Sequence, residues 1–228
     1  MCGRFTLAVS EDELRTYLRD VYAIEQFPES FCLPRYNIAP GQDVTTVIKT
    51  DKGHRAGLLR WGYIPPFIKD GNKARKLINA RGETVSEKSS FRDSFLRRRC
   101  IVLADGFFEW KRTAAGKIPY RFVGKRDRFL PFAGLWSTHT KNGAKVHTCT
   151  IVTTEANNTV KDVHERMPVI LNNEARKLWL DPNVRDVERL EGLLVPFPAD
   201  GLRAYTVSSL VNNPAHDIED CIKENGKL

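Results

Sequence analysis

Cys100-Ile101-Val102-Leu103-Ala104-Asp105 and, one residue on, Phe107-Phe108-Glu109-Trp110-Lys111-Arg112 are the stretch on which the fold turns. Both runs are dense in β-branched, aliphatic and aromatic residues, the composition of paired strands. Working outward towards the C-terminus, Tyr120 to Val123, Phe132 to Ser137 and Val146 to Thr154 have the same character. Ala115-Gly116 and Asn142-Gly143 supply turn chemistry between them. These segments predict an antiparallel centre.

Working outward towards the N-terminus, Thr84 to Arg99 shows helical spacing in Phe91 and Phe95, with Arg97, Arg98 and Arg99 read as a solvated, basic helix end. Val44 to Lys49 and Arg55 to Trp61 form a hairpin around Asp51-Lys52-Gly53. Gln26 to Asp43, with Pro28, Pro34, Pro40 and Gly41, is too rich in proline for regular structure and reads as a long loop. Gly3 to Val9 is strand-like, and Ser10 with Glu13 makes a capping box that opens a helix through Leu14, Leu18 and Val21. Helices around Glu174 to Leu180 and Val184 to Leu193, a strand near Leu202 to Ser208 and a polar tail from Asn212 complete the chain. The expected fold is α+β: one domain over residues 1–228, built on an antiparallel, barrel-like sheet with flanking helices.

The 228 residues suffice for one substantial core, and 41% hydrophobic with 28% charged residues is a globular composition. A net charge of +8 draws polyanions and makes nucleic acid a plausible partner. No apolar run reaches the length of a membrane span, and no signal peptide is evident, so a cytoplasmic protein with no membrane partner is expected. The five cysteines are scattered without C-x-x-C spacing, which points to neither a disulfide framework nor a zinc ribbon. His164-Glu165-Arg166-Met167-Pro168 places proline where a zinc helix needs its second histidine. His54, His139, His147 and His216 have no partner spacing; no metal and no cofactor are expected.

Cys2 is the first chemically informative residue, because loss of Met1 would leave it at the start of the chain. An N-terminal cysteine carries an amine of pKa about 8 beside a thiol of pKa about 8.5, so a useful share of each is nucleophilic near neutrality. Together they can close a thiazolidine on an aldehyde. The same pair can also attack an amide, with the amine as base. The residue alone leaves both readings open.

Five ordered segments narrow the choice. Met1-Cys2-Gly3-Arg4-Phe5, Arg35-Tyr36-Asn37-Ile38-Ala39-Pro40, Ile78-Asn79-Ala80-Arg81-Gly82-Glu83, Asp105-Gly106-Phe107-Phe108-Glu109-Trp110 and Val163-His164-Glu165-Arg166-Met167-Pro168 together resemble the SOS-response-associated peptidase family. The resemblance spans residues 1 to 168. It implies a DNA-damage protein that captures abasic sites in single-stranded DNA as a thiazolidine on Cys2 and shields the lesion. It further implies self-removal of Met1, weak lyase behaviour, a monomer, and association with the nucleoid when bound to DNA.

Carried over residue by residue, Cys2 is the nucleophile, Asn79 orients it and the substrate oxygen, and Glu109 and His164 move protons. Alternation along the strand sets Glu109 on the face opposite Phe108 and Trp110, and the sequence leaves open which face is inside. Arg4, Arg81 and Arg166 are expected on phosphates, with Asn37, Pro40, Phe67 and Thr153 along the DNA path. Where some relatives carry a tryptophan pair, this chain has Phe67-Ile68, which weakens stacking on one side of the lesion. Trp136 is read as core packing. Two other functions compete: a cysteine peptidase or self-processing amidohydrolase acting through Cys2, and a non-covalent single-strand-binding module.

Overall fold

The computed structural model describes residues 2–68, 76–141 and 144–226. Among these described residues there are twelve strands: β1 (Phe5–Leu7), β2 (Arg35–Ile38), β3 (Asp43–Thr50), β4 (Gly53–Trp61), β5 (Asn79–Arg81), β6 (Arg99–Ala104), β7 (Gly106–Thr113), β8 (Gly116–Gly124), β9 (Leu130–Lys141), β10 (Ala144–Glu155), β11 (Arg166–Pro168) and β12 (Leu202–Thr206). Among the described residues four α-helices flank them: α1 (Glu11–Tyr22), α2 (Arg92–Arg97), α3 (Asn173–Leu180) and α4 (Val187–Glu191). None of these helices is long and apolar enough to cross a membrane.

The expected α+β, barrel-like architecture is what the chain adopts. Strands β10, β4, β3, β6 and β9 form a closed ring, because β9 pairs with β10. Closure leaves the ring without a free edge. A second, five-stranded antiparallel sheet runs β12-β8-β7-β1-β2. Two pairings depart from the antiparallel expectation: β10 runs parallel to β4 and to β5.

Phe5, Trp61, Phe107, Phe122 and Phe132 are fully buried. Phe5 meets Trp61 and Phe132 edge-on at 5.2 and 5.9 Å, and Phe107 meets Phe132 in the same way at 6.2 Å. Each such ring contributes roughly 1.5–3 kcal/mol by leaving water. Gly106 is where two strands crowd: a Cβ there would lie 2.9 Å from Arg121 Nε and 2.9 Å from the Phe122 carbonyl.

Two local signals are realised as expected. The Ser10 hydroxyl accepts from the Glu13 amide at 3.1 Å and opens α1. The β3–β4 hairpin closes at Thr50 and Gly53, and Gly53 takes the φ of 108° that its turn requires. The expected turn at Asn142-Gly143 lies outside the described residues.

Three expectations need correction. The proline-rich loop contains β2, which is held as a strand by pairing with β1. The helix expected over Thr84 to Arg99 shrinks to α2, and Arg99 is not a solvated helix end. Arg99 opens β6, 6% exposed, and donates to the carbonyls of Phe95, Leu96, Trp179, Asp181 and Val184 at 2.5–2.9 Å. These carbonyls lie at the C-terminal ends of α2 and α3 and just beyond α3, where a cation is favoured. The polar tail is folded structure: Asp217 accepts from Arg35 Nε and the amides of Tyr36 and Asn37, and Val207 bridges to Glu224. With Phe108, Tyr205, Val207 and Val211, the buried Cys221 of this strap forms a small second core.

Candidate functional site

The position of Cys2 follows from β1. Phe5 pairs with Phe107, and the Phe108 amide donates to the Arg4 carbonyl at 2.9 Å, so the residues before Phe5 run back along the far half of β7. Glu109 lies there. Its face was open in the sequence, and the structure shows that both faces of β7 are covered. Phe108 and Trp110 pack into the small core under the C-terminal strap, while Phe107 enters the main core. Glu109, on the Phe107 side by alternation, is 3% exposed.

Two further elements bring the other residues. Asn79 opens β5, opposite Ile151 of β10, and its Nδ2 donates to the Cys2 carbonyl at 2.9 Å. Asn79 Oδ1 is buried with no hydrogen-bond partner among the described residues. His164 precedes β11, on the other side of β10. Its Nδ1 accepts from the Arg166 amide at 3.0 Å, which leaves Nε2 to carry the proton of the neutral ring. That Nε2 lies 3.9 Å from Glu109 Oε2. Residues distant in sequence thus meet at one place: the chain start, β5, β7 and the turn before β11.

Burial sets the protonation of the group. It raises the Glu109 carboxyl to about 7 and holds the His164 imidazolium below its usual range. It also pushes the Cys2 thiol far up, and the Glu109 charge adds to this. The sequence expectation of ready thiolate near neutrality is therefore corrected: Cys2 has no exposed surface, and its sulfur is a thiol that needs a base. A carboxyl poised near 7 and a neutral imidazole are groups that can give and take that proton.

The residues expected along DNA divide by exposure. Pro40, Phe67 and Arg81 are exposed. Arg4 is half-buried; it donates to Asn37 Oδ1 and the Val211 carbonyl at 2.7 and 2.6 Å and lies over the Trp110 ring. Asn37 and Thr153 are fully buried. Asn37 spends its amide on the carbonyls of Val211, Asn213 and His216, so its side chain anchors the strap and offers no surface to a strand. Thr153 is held against Ala80 and Arg166. Arg166 grips Glu83 through both carboxylate oxygens, at 2.5 and 2.9 Å. Trp136, read as core, is only partly buried, whereas Trp61 is wholly inside.

A cleft of about 590 Å³ opens beside Glu109 and His164 and is rimmed by Lys111, Arg112, Lys117 and Lys161. The sequence reading missed these basic residues, although Lys111 and Arg112 follow Trp110 directly. A more voluminous cavity, about 790 Å³ between α1, α3 and the β8–β9 turn, shares no lining residue with this cleft or with the four converging side chains. Volume alone does not mark the site. Among the described residues no cluster of three or more His, Cys, Asp or Glu side chains is placed to hold a metal ion.

The chain is 45% identical over 228 residues to the abasic site processing protein YoqW of Bacillus subtilis (strain 168), covering 99% of this chain and all of that one. It is 30% identical over 261 residues to the abasic site processing protein HMCES of Gallus gallus, covering 97% of this chain and 77% of that one. A crystal structure of a protein from Bacteroides thetaiotaomicron superposes with a TM-score of 0.86 over 98% of this chain and 100% of that one; at 23% identity it speaks to the fold. The family model described as SOS response associated peptidase matches residues 1–214, and the chain belongs to that family.

Proposed function

We propose that this protein processes abasic sites in single-stranded DNA by capturing the ring-opened sugar on Cys2 once Met1 has been removed. The observation that carries the reading is the meeting of Cys2, Asn79, Glu109 and His164 from four separate parts of the chain. The names of the relatives supply the lesion. The chemistry of the four groups supplies the route.

The freed Cys2 amine adds to the aldehyde carbon and forms a C–N bond. Neutral Glu109 gives its proton to the hydroxyl, which leaves as water, and an iminium ion remains beside the Glu109 carboxylate. The Cys2 sulfur then adds to the same carbon as its proton passes to the Glu109 carboxylate, directly or through His164, which restores the carboxylic acid and leaves the ring nitrogen neutral. One water is lost overall and a thiazolidine is formed. Asn79, bonded to the Cys2 carbonyl, holds the nucleophile and keeps its buried Oδ1 as an acceptor for the reacting groups. A carboxyl near 7 serves both steps, because each protonation state is well populated near neutrality.

Intact mass before and after incubation with an abasic oligonucleotide tests the proposal. The expected product has the mass of Met1-free protein plus DNA minus water. Cys2→Ala gives none, and Cys2→Ser gives no durable product. A serine variant that cross-links as stably as the parent, or a protein that keeps Met1, sinks the scheme. Cys2-dependent peptide turnover without any DNA adduct would favour the peptidase reading instead.

A further inference from the structure

The β7–β8 hairpin carries a feature that packing does not explain. Arg112 and Lys117 sit directly opposite each other in the ladder, and Lys111 is next to them. Like charges facing across a strand pair destabilise it. Neither residue joins an ion pair among the described residues; Lys161, on the facing segment, bonds the neutral Asn158 amide, at 2.9 Å. The four cations rim the same cleft that Glu109 and His164 line, whose remaining charges are Asp162 and Glu165. Arg112 and Lys117 are exposed and ready for an anion from outside.

We infer that the cleft between the β7–β8 hairpin and residues 161–165 seats a backbone phosphate of the DNA strand next to the lesion, with Arg112 and Lys117 as its principal ligands. The inference rests on the proposed capture of abasic DNA and adds the path of the strand. A phosphate fits the observations because it would relieve the repulsion between two facing cations on the rim of the cleft that the reacting groups line. It also fits the electrostatics of the neighbour: burial, and in smaller part the Arg112 charge, keeps His164 neutral, and an anion seated by Arg112 would soften that effect as DNA arrives. Arg4, Arg81 and Arg166 were the arginines expected on phosphates, but Arg4 is bonded to Asn37 and the Val211 carbonyl and Arg166 is already gripped by Glu83. A strand reaching Cys2 therefore needs further cations, and this hairpin supplies them.

The test uses binding without covalent capture, so that it reads the cleft even if Cys2 proves inert. A labelled single strand bearing a tetrahydrofuran abasic analogue, which has no aldehyde, is titrated by fluorescence anisotropy at salt from about 50 to 200 mM. The proteins are the parent, the double variant R112Q/K117Q and a control K49Q/R55Q, which removes the same charge from the exposed end of the β3–β4 hairpin. R112Q/K117Q is expected to bind about tenfold more weakly at low salt, with a log–log salt slope shallower by about 0.7, the value for one phosphate left without its cation. The control should keep the parent slope. The proposal is overturned if R112Q/K117Q and the parent superimpose across the salt range, or if the control loses as much affinity. Failure of the capture chemistry shows separately, as absence of the intact-mass adduct from the parent.

Discussion

Asp105 and Glu109 are two carboxylates four residues apart, both inside the protein, and they are treated in opposite ways. Asp105, in the turn between β6 and β7, accepts from the Thr6 hydroxyl, the Ala8 amide, Arg121 and Arg128 at 2.6–3.1 Å. Its side chain has no exposed surface, and its charge is matched by two guanidinium groups. Glu109 lies where β7 passes from the core to the cleft, and burial lifts its carboxyl to about 7. The difference teaches what each is for. A carboxylate held by donors on every side fixes a turn; one poised between charge states at the mouth of a cleft can pass a proton.

Removing each carboxylate should sharpen this contrast. Asp105→Ala leaves the buried Arg121 without its counter-ion and should cost about 3–5 kcal/mol in denaturant unfolding. Its capture rate, measured on the fraction that remains folded, should change little. Glu109→Gln reverses the pattern: no stability is lost, while the rate of adduct formation falls by about 10²–10⁴. Comparable loss of stability from both variants would erase the distinction.

The pH dependence of stability offers a finer test. Glu109 has a folded pKa raised from 4.5 to about 7, so the folded state favours the protonated form. Its effect on stability is absent below the unfolded pKa, and stability is lost as pH rises from about 4.5 through about 7. Glu109→Gln should therefore match the parent at pH 4 and unfold at higher denaturant than the parent at pH 8. A constant offset between the two across that range would contradict the raised carboxyl.

Glu83 stands further out, half exposed, and its pair with Arg166 is a surface one on the Glu83 side. Glu83→Gln should shift stability by less than about 1 kcal/mol. By releasing Arg166 it should tighten binding of a single strand about two- to threefold in the anisotropy assay. Weaker binding would mean that Glu83 positions Arg166 for its phosphate and does not compete for it.

How much of this was legible in the sequence depended on distance along the chain. The Ser10 cap and the β3–β4 hairpin were legible because their chemistry is complete within a few residues. Cys2, Asn79, Glu109 and His164 were marked by the segments around them, but their meeting depends on β5 and β11 both joining β10, one of them in parallel, which no local pattern encodes. Arg99 looked like one more exposed arginine because its five carbonyl partners come from two helix ends far apart in sequence. The face of Glu109 was undecidable because alternation assumes one wet face, and the strap from Asn212 onward dries the other.

That strap also orders events in time. Arg4 is clamped by Val211, 207 positions later, and Asn37 by the carbonyls of Asn213 and His216, translated 176 and 179 residues after it. Pairings of such separation form late, because a long loop must close before they return any energy. The corner that holds Cys2 is consequently assembled only once residues 208–224 have left the ribosome, and a truncated product lacking them would carry that cysteine on an unfinished frame.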